Sequence, residues 1–259
     1  MRKFWRNSCI LLAACLLTVA AQAQNKSEEK QKRKHKSYGA GRKGNNLPNY
    51  DLKPLHYGFF VAINNTSLNV KHSPYFIDQL NNTKLPDDSV MLGIEPRKFM
   101  GFTTGFILNV RLHDQFDFRL LPTVSFYQRQ IDFRFRDGHE AAHLNQSTYS
   151  YMEFPLLVKY KSVRRGNTRM YIIGGIKPAF EIGVKREELD PTAFMRTTSS
   201  DFSLEYGFGF DLYYPMFKFS PEIRFSHGMQ DIKEQDSNMY SRSVNKLTTH
   251  AVTFYLNFE

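Results

Sequence analysis

From residue 55 to residue 259 apolar and polar residues alternate with a period of two, and the apolar set is rich in phenylalanine while the polar set carries charge. A period of two is the signature of β-strands, whose successive side chains point to opposite faces. The clearest segment sets Phe202, Leu204, Tyr206, Phe208, Phe210 and Leu212 against Ser203, Glu205, Gly207, Gly209 and Asp211. A β-sandwich or lipocalin-like barrel also alternates, but it turns its apolar face inward. In a barrel of the lipid-spanning kind the phenylalanines face outward and the charges inward, and only alternate residues are apolar. That reconciles an aromatic content of 15% with a mean hydropathy of −0.47. Beyond the first residues no stretch reaches the ~18 uncharged apolar residues that a spanning helix needs.

Eight segments follow this rule. The first sets Tyr57, Phe59, Val61 and Ile63 on one face. In the second Phe102, Phe106, Leu108, Val110 and Leu112 oppose Thr103, Asn109 and Arg111. Phe116, Phe118, Leu120, Val124 and Phe126 of the third oppose Asp117, Arg119, Thr123 and Ser125. The fourth turns Met152, Phe154, Leu156, Val158 and Tyr160 outward and Glu153 and Lys159 inward. Met170, Ile172, Ile176, Phe180 and Ile182 of the fifth oppose Tyr171, Gly175, Lys177 and Glu181. The Phe202–Leu212 segment is sixth, and the seventh sets Phe217, Phe219, Ile223 and Phe225 against Lys218, Ser220, Glu222, Arg224 and Ser226. The eighth places Val252, Phe254, Leu256 and Phe258 outward. Connections alternate long and short: residues 64–100, 113–115, 136–148, 162–167, 184–201, 214–216 and 229–247. Outer-membrane barrels have long outer loops and short periplasmic turns, so the expected fold is an all-β, eight-stranded antiparallel transmembrane barrel over 54–259.

Residues 1–23 read as a signal peptide, with Arg2, Lys3 and Arg6 before an apolar core from Ile10 to Ala20. Ala21-Gln22-Ala23 supplies the small residues of a cleavage site; the competing reading is a lipobox at Leu12-Ala13-Ala14-Cys15. Both cysteines, Cys9 and Cys15, fall in this segment, so the mature chain is expected to carry no disulfide or thiolate chemistry. The net charge of +10 is unevenly spread: residues 24–43 hold eight Lys/Arg against Glu28 and Glu29. Residues 24–53 lack apolar periodicity and are expected to form a disordered basic tail on the periplasmic side. Lys32, Arg33, Lys34 and Lys36 are its candidate contacts for anionic headgroups or an acidic partner, with nucleic acid excluded by export.

The inward set of Asp117, Arg119, Glu153, Lys159, Lys177, Glu181, Glu205, Asp211, Lys218, Glu222 and Arg224 mixes both signs. Eight strands leave an interior that side chains just fill, so these charges are expected to pair in a structural network that closes the lumen. A selective pore would need more strands or a ring of one sign. Catalysis finds little support. Glu205 and Asp211 are six residues apart on one face, roughly 20 Å at strand rise, too far to act on one bond. Ser226 and His227 invite comparison with lipid A deacylases, but neighbours on a strand face opposite ways. His113, His139 and His143 fall in turns or loops, and no phosphate-binding glycine loop occurs. The expectation is a non-enzyme without cofactor, metal or small-molecule substrate, in contact with outer-membrane lipid.

Several stretches resemble a porin-like family of small barrels from Bacteroidetes-type outer membranes. They are Tyr151-Met152-Glu153-Phe154-Pro155-Leu156-Leu157-Val158-Lys159-Tyr160, Phe208-Gly209-Phe210-Asp211 and Pro221-Glu222-Ile223-Arg224-Phe225-Ser226-His227-Gly228. The basic tail, Asn49-Tyr50-Asp51, Pro54-Leu55-His56-Tyr57-Gly58, Ile94-Glu95-Pro96 and Met229-Gln230-Asp231 are similar to the PorT family of the type IX secretion system. That resemblance implies an accessory role, with other secretion subunits as partners, in exporting cargo that bears a C-terminal sorting domain. A filled lumen argues for a scaffold or assembly factor and against a conduit. The alternative is a stand-alone barrel: an adhesin, a structural anchor or a lipid A-modifying enzyme. One departure is Glu259, which follows Phe258 where such barrels often finish on an aromatic.

Overall fold

The computed structural model describes residues 45–81, 86, 90–138, 140–142, 148–182, 197–234 and 239–259. A 3-10 turn at Tyr50–Leu52 precedes β1 (Leu55–His72), α1 (Pro74–Asn81), β2 (Met91–Pro96), β3 (Phe99–Arg111), β4 (Phe116–Leu120) and β5 (Thr123–Gln128). Then come β6 (Ile131–Phe135), β7 (Glu140–Ala142), β8 (Thr148–Glu153), β9 (Leu156–Lys161), β10 (Thr168–Ile182) and β11 (Ser200–Tyr213). The last elements are β12 (Lys218–Gly228), α2 (Met239–Ser243) and β13 (Val244–Phe258).

Ten strands form one antiparallel sheet that closes on itself through β1, which pairs with both β13 and β3. These are eight staves, because two are broken: β4 and β5 are separated at Leu121–Pro122, and β8 and β9 at Phe154–Pro155. Pro122 and Pro155 lie on neighbouring staves, and neither can donate to the ladder. The wall stays bonded around the gap by Leu121 N–H to Pro155 O (3.1 Å) and Phe154 N–H to Pro178 O (3.0 Å). Beside this gap β9 and β10 approach closely, and a Cβ on Gly175 would collide with the carbonyl oxygen of Leu156.

Along the middle of the wall the alternation sets Phe102, Phe106, Ile172, Phe208 and Phe254 outward and exposed, while polar and charged partners are buried. At the end bearing the long connections the order reverses. There Leu68 turns inward while Asn69 and Lys71 turn out, so β1 continues nine residues past the expected end of its segment at Ile63. The long connections fold as well. β2, β6 and β7 form a second sheet, and α1 and α2 pack with it around Leu68, Phe76, Met91, Ile131, Phe133, Ile232 and Leu247. The stretches expected to be loops, residues 64–100 and 136–148 in particular, therefore contain a cap with its own apolar core. Beyond the lipid-facing belt the surroundings on both sides are aqueous, and only inward burial gains free energy there.

Candidate functional site: a charge-filled lumen

Ten of the eleven inward residues singled out above lie on β4, β9, β10, β11 and β12, and nine of these, Asp117, Arg119, Lys159, Lys177, Glu205, Asp211, Lys218, Glu222 and Arg224, are buried. Glu153, at the end of β8, is buried too, and Glu181 is half-buried near the cap end of β10. Lys32, Arg33, Lys34 and Lys36 lie outside the described residues, as do the side chains of His139 and His143. His113 sits in the β3–β4 turn, where its N–H donates to the Phe116 carbonyl at 2.9 Å. Ser226 is buried in the lumen, whereas His227 is half-exposed on the outer wall, so the two form no dyad.

Towards the end bearing the short turns Arg119 reaches two carboxylates, Glu222 at 3.2 Å and Glu259 at 2.9 Å, with all three side chains fully buried. Lys218 binds the other oxygen of Glu259 at 2.9 Å, and Lys159 holds both oxygens of Asp211 at 2.7 and 3.0 Å. Ser220 and Tyr171 donate to Asp211 (2.7 Å) and Glu222 (2.5 Å). Towards the cap Arg224 joins Glu222 to Glu205, and Lys177 lies 3.5 Å from both Glu153 and Glu205. Above them Arg129 lies over the Tyr151 ring and pairs with Asp201 at 3.7 Å. Beside this layer is a small polar cavity lined by Asn64, Thr66, Ser125, Glu153, Ser203 and Thr253, with room for about one or two waters.

The turn end is closed by the chain segment before β1. Asp51 accepts two bonds from the Arg169 guanidinium, at 3.0 and 2.7 Å, and a third from the Tyr213 hydroxyl at 3.1 Å. Arg164 stacks 3.7 Å from the Tyr213 ring centroid, and Asn46 donates to the Tyr213 carbonyl at 2.9 Å. Tyr50 stacks on His56 at 4.2 Å and donates to Glu259 at 3.1 Å. The expectation of a loose tail up to residue 53 therefore does not hold for residues 45–53, which are bound into the barrel mouth. Charge explains the attachment. Among the described residues the staves bury eight cations (Arg119, Arg129, Lys159, Lys161, Arg169, Lys177, Lys218, Arg224), against Asp117, Glu153, Asp201, Glu205, Asp211, Glu222 and Glu259. Asp51 supplies the eighth carboxylate.

Burial alone would raise the Asp51 pKa, but Arg169 and its hydrogen bonds outweigh this and hold the carboxyl below its ordinary value. A depressed carboxylate stabilises the latch above the free value near 4 and loses that contribution as pH falls below it. The Asp51→Ala variant removes a charge-assisted fork that is partly solvent-screened, worth about 1–2 kcal/mol. Hydrogen exchange of the peptide spanning residues 45–53 is expected to quicken roughly tenfold at neutral pH. Unchanged exchange would show that Arg169 does not hold the segment.

Sequence alternation missed several members of this network. Lys161 shares the parity of Lys159, Arg169 that of Tyr171 and Asp201 that of Ser203, so extending each segment by a residue or two would have found them. No such signal exists for Asp51, which lies outside any strand.

Residues 22–234 match the outer membrane protein beta-barrel domain family. No curated protein sequence matches the chain. Among solved structures it is similar to the outer membrane protein OprG from Pseudomonas aeruginosa (13% identity, TM-score 0.41, covering 78% of this chain and 94% of that one). It is similar also to the outer membrane protease OmpT from Escherichia coli (8% identity, TM-score 0.42, 79% and 94%). Neisserial surface protein A is a third (11% identity, TM-score 0.37, 79% and 98%).

Proposed function

The chain belongs to the outer membrane protein beta-barrel domain family, and we propose that it is an accessory component of the type IX protein secretion system, acting as scaffold or assembly factor and not as conduit. The observation that carries the second half of this reading is the lumen. Arg119, Lys159, Lys218 and their carboxylates cross it with fully buried side chains, leaving no passage for a polypeptide. The first half rests on the PorT-like stretches, of which Asn49-Tyr50-Asp51 lies in the latch and Ile94-Glu95-Pro96 in the cap. In this reading the short turns and the latched segment face the periplasm and the cap faces outward. The latch then holds the end of the basic tail at the periplasmic face of the outer membrane, where Lys32 to Lys36 meet anionic headgroups or an acidic subunit.

Clean deletion of the gene, followed by proteomics of secreted and periplasmic fractions, tests this. Proteins bearing the C-terminal sorting domain are expected to collect in the periplasm. Secretion that continues undiminished would remove the secretion role and leave a stand-alone barrel acting through its cap.

A further inference from the structure

On the outer wall, where β12 and β13 approach the cap, two histidines stand directly opposite each other: His227 pairs with His250 in register. Their side chains point away from the lumen and are half-exposed. The two Nδ1 atoms are 2.8 Å apart, with the rings at 72°. Just below on the same strands the outward residues are Phe225 and Val252, so the pair sits at the upper edge of the apolar belt. We infer that His227 and His250 form a chelating site for a divalent metal of intermediate softness, such as zinc, copper or nickel.

The geometry carries this in two steps. Two imidazole nitrogens bound to one such ion at 2.0–2.1 Å stand roughly 2.9–3.4 Å apart for bond angles between a right angle and the tetrahedral value. The observed separation needs to open by only a few tenths of an ångström. Without metal, one Nδ1 carries a proton and donates to the other. With metal, each neutral ring carries its proton on Nε2, with no net loss of protons. Each ring already has a partner at Nε2. For His227 it is the Tyr206 hydroxyl at 2.9 Å, which donates or accepts. For His250 it is the Thr248 hydroxyl, which can accept, at 3.4 Å. Partners on the second ring nitrogen are what orient a ligating histidine and raise its basicity. No group of three or more His, Cys, Asp or Glu side chains gathers among the described residues. The remaining coordination positions therefore open outward, to water or to a lipid phosphate.

The test is a titration of the full chain, folded in detergent micelles, with zinc alone by calorimetry and with copper alone by electron paramagnetic resonance. One ion per chain is expected at this site, with a two-nitrogen hyperfine pattern from copper. His227→Gln and His250→Gln are each expected to weaken that event at least tenfold. Tyr206→Phe, which leaves both ligands in place, is expected to weaken it about tenfold through the lost Nε2 partner. All other histidines remain in these variants, so metal taken up elsewhere gives the same isotherm in wild type and variants, and that result overturns the assignment. Side-chain nitrogen resonances of the unaltered chain provide an independent reading. Zinc must shift those of His227 and His250, and unmoved resonances refute the site whether or not the variants fold.

Discussion

Replacing Arg119 with methionine is expected to destabilise the folded barrel by about 3–5 kcal/mol, the range for removing one partner of a buried ion pair. The variant strands Glu222 and Glu259 in an interior where Arg119 reaches both and none of the three side chains touches solvent. Lys218 still holds Glu259 and Arg224 still holds Glu222, but one carboxylate is then in excess. Adding Glu222→Gln to Arg119→Met restores the balance, leaving Lys218 with Glu259 and Arg224 with Glu205. The double variant is therefore expected to recover a large share of the loss, a coupling expected of residues in one network. Urea unfolding in lipid vesicles, followed by far-ultraviolet circular dichroism, measures both, since the one tryptophan is Trp5, in the signal segment. A wild-type midpoint for Arg119→Met, or a double variant worse than the single, would mean that the network does not hold the lumen closed.

Phe208→Arg separates a lipid-facing wall from a water-facing one. Phe208 is 47% exposed near the middle of β11, flanked in register by Ile172 and Ile223. In water an arginine on such a surface would change stability by no more than about 0.5 kcal/mol. In a bilayer the same change near the midplane costs about 2–4 kcal/mol, and near the interface about 0–1. Tyr57, 78% exposed near the turn end of β1, is the matched control. In vesicles Tyr57→Arg is expected to be nearly silent, with Phe208→Arg losing 2–4 kcal/mol. Equal effects at the two positions would contradict the placement of the belt.

How far these positions could be read in advance differs by residue. Lys159, Lys177, Glu205, Glu222 and Arg224 are legible because inside a spanning strand parity assigns the face without exception. Arg129, Lys161, Arg169 and Asp201 lie at or beyond segment ends, where alternation has no flanking partner to confirm it. The cap was not legible, because polar loops and a small antiparallel sheet with two short helices share the same local composition. Glu259, a puzzling extra residue in one dimension, turns inward to meet Arg119 and Lys218.

Period-two alternation, with aromatics opposed to charges, sufficed to specify a closed antiparallel barrel, the number of its staves and the side of the wall that each central residue faces. Those are local properties, fixed by strand geometry and by the solvent on each side. Which charge meets which is not local: Arg119 and Glu259 are 140 residues apart, and Arg169 and Asp51 are 118 apart. Their pairing depends on closure of the ring and on the tilt and stagger with which it closes. Closure likewise draws residues 45–53 into the mouth, where a lumen with one cation to spare accepts Asp51. It also lays His227 across from His250 on the outer wall.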